Sequence, residues 1–382
     1  MSQADHGPAP ESSPRVAQLP ARPRLPDFFR VVPMDADRVL VCGSGRTARL
    51  AGAGLGTWGA QLLWALDGHS SPEELADRFG VAFEQVQQLL DHLQRQAIVH
   101  DRAEEDRLPS HLADVVVTQL ASELGLSPES ARVALASSRV AVVGLGPVAR
   151  LAAQHIVGAG VAHLVLADDR VVSEMDEAVL GAVGRPNRQR SEATAEQARC
   201  IEAHRPPGRS TTVAVVGDDG IAGCLRQVDL VLTEVDLSGQ RAEALNAACL
   251  EAGAPVLFHS ATTFDGKVGP LVGSGQSACY ECLRIREDSH RRHYEEHGAY
   301  RRYLRASEHP DPEPALLPGT AAMMAGLLST EAVRFLAGFA GTVGDAQVLV
   351  ADLRRLQVHS EGCLAVPDCP ACGGPPPRKP SS

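Results

Sequence analysis

The chain has 382 residues, 44% of them hydrophobic, and a formal net charge of −11 at pH 7. That length can bury two separate cores, and the charge argues against nucleic acid or an anionic membrane as the main partner. No charged-then-apolar leader opens the sequence and no apolar run approaches a membrane span, so a cytoplasmic protein is expected.

Residues 1–26 are rich in Pro, Ser and Ala and read as a disordered tail. Residues 27–100 read as a small domain. Strand-like pieces at 28–32, 38–42 and 47–50 are punctuated by Asp35-Ala-Asp37 and by the glycines at 43 and 45. Three helical segments follow: 57–66, one from the capping box Ser71-Pro-Glu-Glu74 to Arg78, and 83–96. The order βββααα, closed by a short strand at 97–99, is winged-helix-like. Its last helix, FEQVQQLLDHLQRQ, has Arg95 as its one firmly basic residue, too little to hold DNA phosphates. An extended peptide can instead add as a strand beside that helix. Candidate contacts are Arg46, Ala48 and Leu50 on the third strand, with Val86, Leu89, Leu90 and Leu93 on the helix face. The competing reading makes most of those helix residues plain core.

Residues 101–137 form a charged, mostly helical connector, its last helix starting near Ser127-Pro-Glu-Ser130. From Ser138 the sequence SRVAVVGLGPVARLAAQHIVGAGVAHLVLADD gives a strand at 139–143, a turn at Gly144-Leu-Gly146 and a helix at 147–157. A second strand at 163–167 ends in Asp168. This is the nucleotide-binding βαβ pattern: glycines admit phosphates, the helix N-terminus stabilises their charge, and the acid holds a ribose hydroxyl. Strands at 212–216, 229–233 and 255–259, with helices at 193–203 and 239–252, predict a mostly parallel sheet. Segments 265–272 and 347–353 read as antiparallel additions. The small-residue helix 318–336 suits close packing or a dimer contact, and 375–382 reads as a second disordered tail.

Of nine cysteines, four form the pairs Cys279-x-x-Cys282 and Cys369-x-x-Cys372. Two such pairs close a tetrahedral four-thiolate site, which predicts a structural zinc ion with no open position for water. The alternatives are that one pair is incidental or that Cys363 replaces a partner.

Through LPDFFRVVPMDADRVLVCGSGRTARL, LLWALDGHSSPEELADRF and QQLLDHLQRQAIV, the small domain resembles the RiPP recognition element, similar to PqqD, which captures leader peptides of ribosomally made natural products. Residues 138–374 resemble the ThiF/MoeB superfamily of ATP-dependent activators of ubiquitin-like proteins. The landmarks are GLGPVA, LVLADDRVV, VDLVLTEVDLSGQRAEALNAACLEAGAPVLFHSATTFDGKVGP, SACYECL, PGTAAMMAGLLSTEAVRFLAG and DCPACGG. Together the chain is similar to the ThiF-like leader-peptide-binding proteins of azole peptide clusters, which present a precursor to a separate YcaO cyclodehydratase.

The resemblance implies an α/β fold: a winged-helix-like domain, then a Rossmann-like, mostly parallel sheet with a zinc knot at 138–374. It implies a relic ATP site of Gly144, Gly146, the ribose acid Asp168 and the metal-binding Asp236. The family lysine falls near Asn187 or Arg188, so Arg188 would be its substitute. Several departures weaken that site. Pro147 has no N–H for phosphate, Arg170 stands where activators carry a second acid, and Ser173-Glu-Met-Asp-Glu-Ala178 replaces the arginine-bearing Ser-Asn-Leu-x-Arg-Gln. No cysteine lies between Leu283 and Pro318 for a thioester.

The expectation is therefore a non-catalytic scaffold whose partners are a leader peptide and a cyclodehydratase, with homodimerisation as a family habit. The stretch 284–305, dense in Arg, His and Tyr, reads as a solvated helical crossover or as a contact surface for an acidic leader or the enzyme. The alternative is an adenylyltransferase acting on a peptide C-terminus, as in microcin-type ThiF enzymes.

Overall fold

The computed structural model describes residues 19–43, 47–102, 117, 119–121, 126–180, 188–203, 211–273, 278–307, 311–339 and 347–373. The expectations for 1–18, Arg46, most of the connector before residue 126, Asn187 and the tail at 375–382 lie outside these residues. The chain divides into two compact units, one of residues up to 110 with 119–129, the other of 111–118 with 130 onward.

In the first unit, β1 (Pro23–Arg24) precedes an antiparallel sheet of β2 (Arg30–Pro33), β3 (Arg38–Cys42) and β4 (Thr47–Ala51), in that spatial order. A wide turn at Leu55–Gly59 leads into α1 (Ala60–Trp64), followed by α2 (Pro72–Phe79) and α3 (Phe83–Arg95). The capping box forms as expected: Ser71 Oγ accepts from Glu74 N at 3.2 Å while Glu74 Oε2 accepts from Ser71 N at 2.8 Å, worth about 1 kcal/mol. The closing strand falls later than predicted. Ala97 turns with φ 51°, and β5 (His100–Asp101) pairs with β1, so order begins before Asp27. Val39, Val41, Leu62, Leu63, Leu75, Leu90 and Ile98 fill the core.

The main run of the second unit begins within α4 (Pro128–Ser137), from Ser130, and continues with β6 (Arg139–Val143), α5 (Pro147–Gly158) and β7 (His163–Ala167). Next come α6 (Glu174–Leu180), α7 (Arg190–Ala203), β8 (Thr212–Val216), β9 (Leu230–Glu234) and α8 (Gln240–Ala252). Then follow β10 (Val256–Ala261), β11 (Asp265–Val272), α9 (Tyr280–His290) and α10 (Tyr294–Ala306). Last are α11 (Pro318–Leu336), β12 (Gln347–Asp352) and β13 (Gln357–Gly362). The sheet order is β13-β12-β11-β10-β9-β6-β7-β8, parallel from β10 through β8 and antiparallel from β10 to β13.

Chain order reverses at β6, flanked by β7 and β9, so a crevice opens at the C-terminal ends of these strands. One face of the sheet packs Ala141, Val143, Val231, Val256 and Phe258 under Ala242, Leu245 and Cys249 of α8. Helix α11 lies against α5, β10 and β11, where its Ala321, Met324, Ala325 and Leu328 are buried within the chain. The edge strand β13 escapes sequence reading because QVHSEG is exposed throughout and has no apolar alternation.

Candidate functional site

At the β6 crevice, Gly144 (φ 78°) and Gly146 shape the turn, and Gly146 caps the twelve residues of α5. The N-terminus of that helix is a place for an anion, and one is already there. A Cβ on Gly146 would stand 2.6 Å from Glu234 Oε1 and 2.8 Å from Oε2, so the end of β9 puts its carboxylate where a phosphate would approach.

Asp168 is fully buried, and its oxygens accept from Leu145 N and Arg170 N. The Arg170 guanidinium clamps the same carboxylate with Nε to Oδ1 at 2.9 Å and Nη2 to Oδ2 at 2.8 Å. Nη2 reaches Glu234 at 3.4 Å as well, and Nη1 lies 3.7 Å from Glu313. Burial would raise the Asp168 pKa, but hydrogen bonds and charge from Arg170 outweigh it and hold the carboxyl below its ordinary value. Burial pushes Glu234 up, offset in part by Arg170, Arg190 and Arg241. Asp168 and the glycine turn are thus closed off by the protein's own ion pairs.

Behind this plug sits a second layer. Arg190, at the start of α7, donates Nε to Asp176 Oδ2 at 2.7 Å and Nη2 to Ser173 Oγ at 3.2 Å, and it also pairs with Glu313. Arg150 of α5 lies 3.6 Å from the other Asp176 oxygen, and both side chains are fully buried. The acids that replace the family arginine therefore do not face a nucleotide: Asp176 is buried and paired, while Glu174 and Glu177 point to solvent.

Arg188 requires a correction. It is no lysine substitute, because its guanidinium pairs with Glu196 and, at 3.8 Å, with Glu192 on the outer side of α7. The cation that enters the site is Arg190, two residues on. Asp236 is also engaged, accepting from Ser238 Oγ and, at 3.4 Å each, from Arg241 N and Ala242 N, which caps α8. Beside it remains a hollow of about 650 Å³ lined by Asp218, Asp219, Asp236, Gln240 and Arg241. Three carboxylates against one guanidinium disfavour a bare triphosphate, which would need a divalent cation beside these acids.

His259 in β10 is the register partner of Glu234 and is buried, and neither ring nitrogen has a hydrogen-bond partner among the described residues. Burial pushes its pKa down to about 3. The unfolded chain takes up that proton near the ordinary 6.5 while the folded chain resists it. This contribution to stability is complete above pH 6.5 and is lost as pH falls toward 3. We expect His259→Phe to flatten the acid limb of a urea-stability profile, read as its difference from the wild-type profile. An unchanged limb would refute the buried neutral imidazole.

The four cysteines meet. Their Sγ atoms all lie within 4.8 Å of one another, with Cys279–Cys282 at 3.8 Å, Cys279–Cys369 at 3.7 Å and Cys282–Cys372 at 3.5 Å. A tetrahedron of metal–sulfur bonds of about 2.3 Å has edges of about 3.8 Å, so this set can bind a metal ion. Val366 N donates to Cys282 Sγ at 3.3 Å. Cys363 is buried nearby but is not one of the four.

In the N-terminal unit, β4 is an edge strand beside α3, and a groove of about 390 Å³ lies between them. Leu50 and Leu89 line it, joined by Arg49, Ala51, Trp58, Gln85, Gln88 and His92. Ala48, Val86, Leu90 and Leu93 are core residues that do not border the groove; Leu50, on the same face of β4 as Ala48, and Leu89 belong to that core too and reach the groove at its edge. Sequence reading missed Trp58, which the irregular turn before α1 delivers.

The sequence model of the ThiF family matches residues 118–371. The chain belongs to the ThiF family. Among ThiF-family relatives, the sulfur carrier protein ThiS adenylyltransferase of Escherichia coli K12 is 26% identical over 242 residues, covering 63% of this chain and 88% of the relative. The molybdopterin-synthase adenylyltransferase of the same organism is 26% identical over 247 residues, covering 63% and 89%. Among solved structures, E. coli MccB with MccA-N7isoAsn aligns with a TM-score of 0.68 at 13% identity, over 92% of this chain and 100% of that one. A heterocyclase in complex with substrate and cofactor aligns at 0.59 and 16% identity, over 92% of this chain and 39% of that one. At these identities the structures establish the shared fold.

Proposed function

We propose that this ThiF-family chain binds a ribosomally made precursor peptide through its N-terminal unit, a RiPP recognition element, and presents it to a separate YcaO-type cyclodehydratase for azoline formation. It activates nothing itself. The observation that carries the non-catalytic reading is the Arg170 clamp on Asp168 with Glu234 on the glycine turn. Binding ATP there would require taking Arg170 from the fully buried Asp168 and from half-buried Glu234, and leaving a buried carboxylate unpaired costs several kcal/mol.

The groove beside β4 supports the peptide half. A leader laid along this edge would gain main-chain hydrogen bonds and set side chains against Leu89 and Trp58. The solved likenesses agree in kind, since MccB was captured with MccA and the heterocyclase with substrate. The gain for a partner enzyme is effective concentration, because a tethered leader makes delivery of the core peptide nearly intramolecular. The cysteine cluster would hold a structural zinc ion. No helix among the described residues is long and apolar enough to cross a membrane, in keeping with a cytoplasmic role.

Both tryptophans, Trp58 and Trp64, lie in the N-terminal unit. Their fluorescence should therefore respond to azole-precursor leader peptides. Leu89→Arg in the full chain, which fills the groove with charge, should weaken binding about a hundredfold or more. Deleting residues 1–100 should abolish it, and leader binding by the truncated chain would overturn the reading.

A second reading, peptide adenylation, is favoured by the open hollow beside Asp236. Calorimetry with magnesium-ATP separates the two. We expect no heat; tight binding lost in Asp236→Ala, with peptide-dependent pyrophosphate exchange, would replace the scaffold reading.

A further inference from the structure

The Arg-, His- and Tyr-rich stretch identified in the sequence forms α9 and α10, which close over α8 and the Cys369–Cys372 loop around a hollow of about 490 Å³. Its charges converge unusually. Glu243 of α8 receives Arg301 Nη2 at 2.8 Å, Arg305 Nη2 at 2.5 Å and Arg284 Nε at 3.6 Å. Arg284 has further acids in Glu281 and, at 2.9 Å, Asp288. Arg301 and Arg305 have Glu243 as their ionic partner, supplemented by the neutral carbonyl of Ser238 at 3.2 and 3.0 Å. Arg302, exposed at the same wall, has no ion-pair partner among the described residues. One carboxylate is thus shared by three guanidinium groups with a fourth close by.

His297 stands in the same wall; burial lowers its pKa first, and Arg291 and Arg301 lower it further against the opposing pull of Asp288 and Glu287.

We propose that this hollow docks an acidic segment of a partner protein, seating an Asp or Glu carboxylate among Arg301, Arg302 and Arg305. The inference rests on the scaffold reading in taking the body as the partner-facing part, and it names the chemistry of that contact. Guanidinium groups bind carboxylates in bidentate pairs and are enriched at interface hot spots, as is tyrosine. Tyr294 stands at the hollow with 58% of its surface exposed, ready to cover the chain beside such a carboxylate. Nucleic acid fits poorly, because Glu243, Glu281 and Asp288 alternate with the arginines and would repel closely spaced phosphates.

The test uses the full-length protein and fluorescein-labelled hexaglutamate, read by anisotropy at low and physiological salt, with hexalysine and a ten-residue oligothymidylate alongside. Hexaglutamate should bind, weaken with salt and outcompete the oligonucleotide. Arg302→Ala, which has no ion pair to lose, should weaken it several-fold, and Arg302→Ala with Arg305→Ala about tenfold or more. Glu243→Gln should strengthen it about tenfold, because the internal competitor is neutralised. Arg226→Ala, an exposed arginine outside both the hollow and the N-terminal groove, should leave it unchanged.

Absent hexaglutamate binding, binding indifferent to Arg302 and Glu243, or tighter oligonucleotide binding would each overturn the proposal. This assay contains no leader peptide. Its failure while Leu89→Arg still weakens leader binding would sink the docking site alone, and the converse would sink the groove reading alone.

Discussion

Exchanging Arg190 for methionine in the full-length protein is expected to cost about 3–5 kcal/mol of stability at pH 7, the range for breaking a buried ion pair. Arg190 and Asp176 are both fully buried, so the loss would leave Asp176 with a single charged neighbour, Arg150 at 3.6 Å, and Glu313 without its second guanidinium. Lysine should restore only part of the loss. It keeps the charge, but a single ammonium cannot reach Asp176, Ser173 and Glu313 as the planar fork does. Urea unfolding followed by far-UV circular dichroism is the suitable readout, because both tryptophans report on the other unit. A loss below about 1 kcal/mol, as for a surface substitution, would show that the second layer contributes nothing to the body.

Removing the metal should have a comparable effect on the same unit. Purified protein is expected to release one zinc ion per chain to a metallochromic dye after thiol modification. Cys372→Ser should abolish that release and lower the body's melting temperature by about 10 °C or more, given several kcal/mol of binding energy and roughly 2–4 °C per kcal/mol at this size. The cluster joins the start of α9 to the 366–373 segment, where Val366 N also donates to Cys282 Sγ. Identical melting of metal-free and metal-loaded protein would refute a structural role.

The architecture was legible because each element obeys its own local rule. β6, β7, β8, β11 and α11 fall where apolar runs, glycine punctuation and helical spacing put them. The four cysteines were legible for a similar reason, since their spacing encodes the tetrahedron. The plug was not. Glu234 ends an apolar strand and Arg170 follows two aspartates, and neither position reveals that the side chains meet across the crevice. Arg188 and Arg190 differ by only two residues, yet a helix start sends one outward and the other into the core.

One signal was available. Arg150 interrupts the apolar run of α5, and a charge on a buried stripe calls for an acid opposite, which Asp176 supplies. In the small domain, periodicity identified the inner face of α3, but which of its residues border the groove depends on how α3 meets β4, a tertiary matter.

The Arg170 clamp also couples the residues of the crevice to one another. Replacing Arg170 with an acid would set three carboxylates, Asp168, Glu234 and Glu313, around a fourth with one cation removed, and replacing Glu234 alone would leave Arg170 with two of its three counter-charges. Charges in contact do not contribute additively, so the effect of a change at either position depends on what stands at the other. The crevice therefore behaves as one coupled set of side chains, and its chemistry is altered by changing that set together.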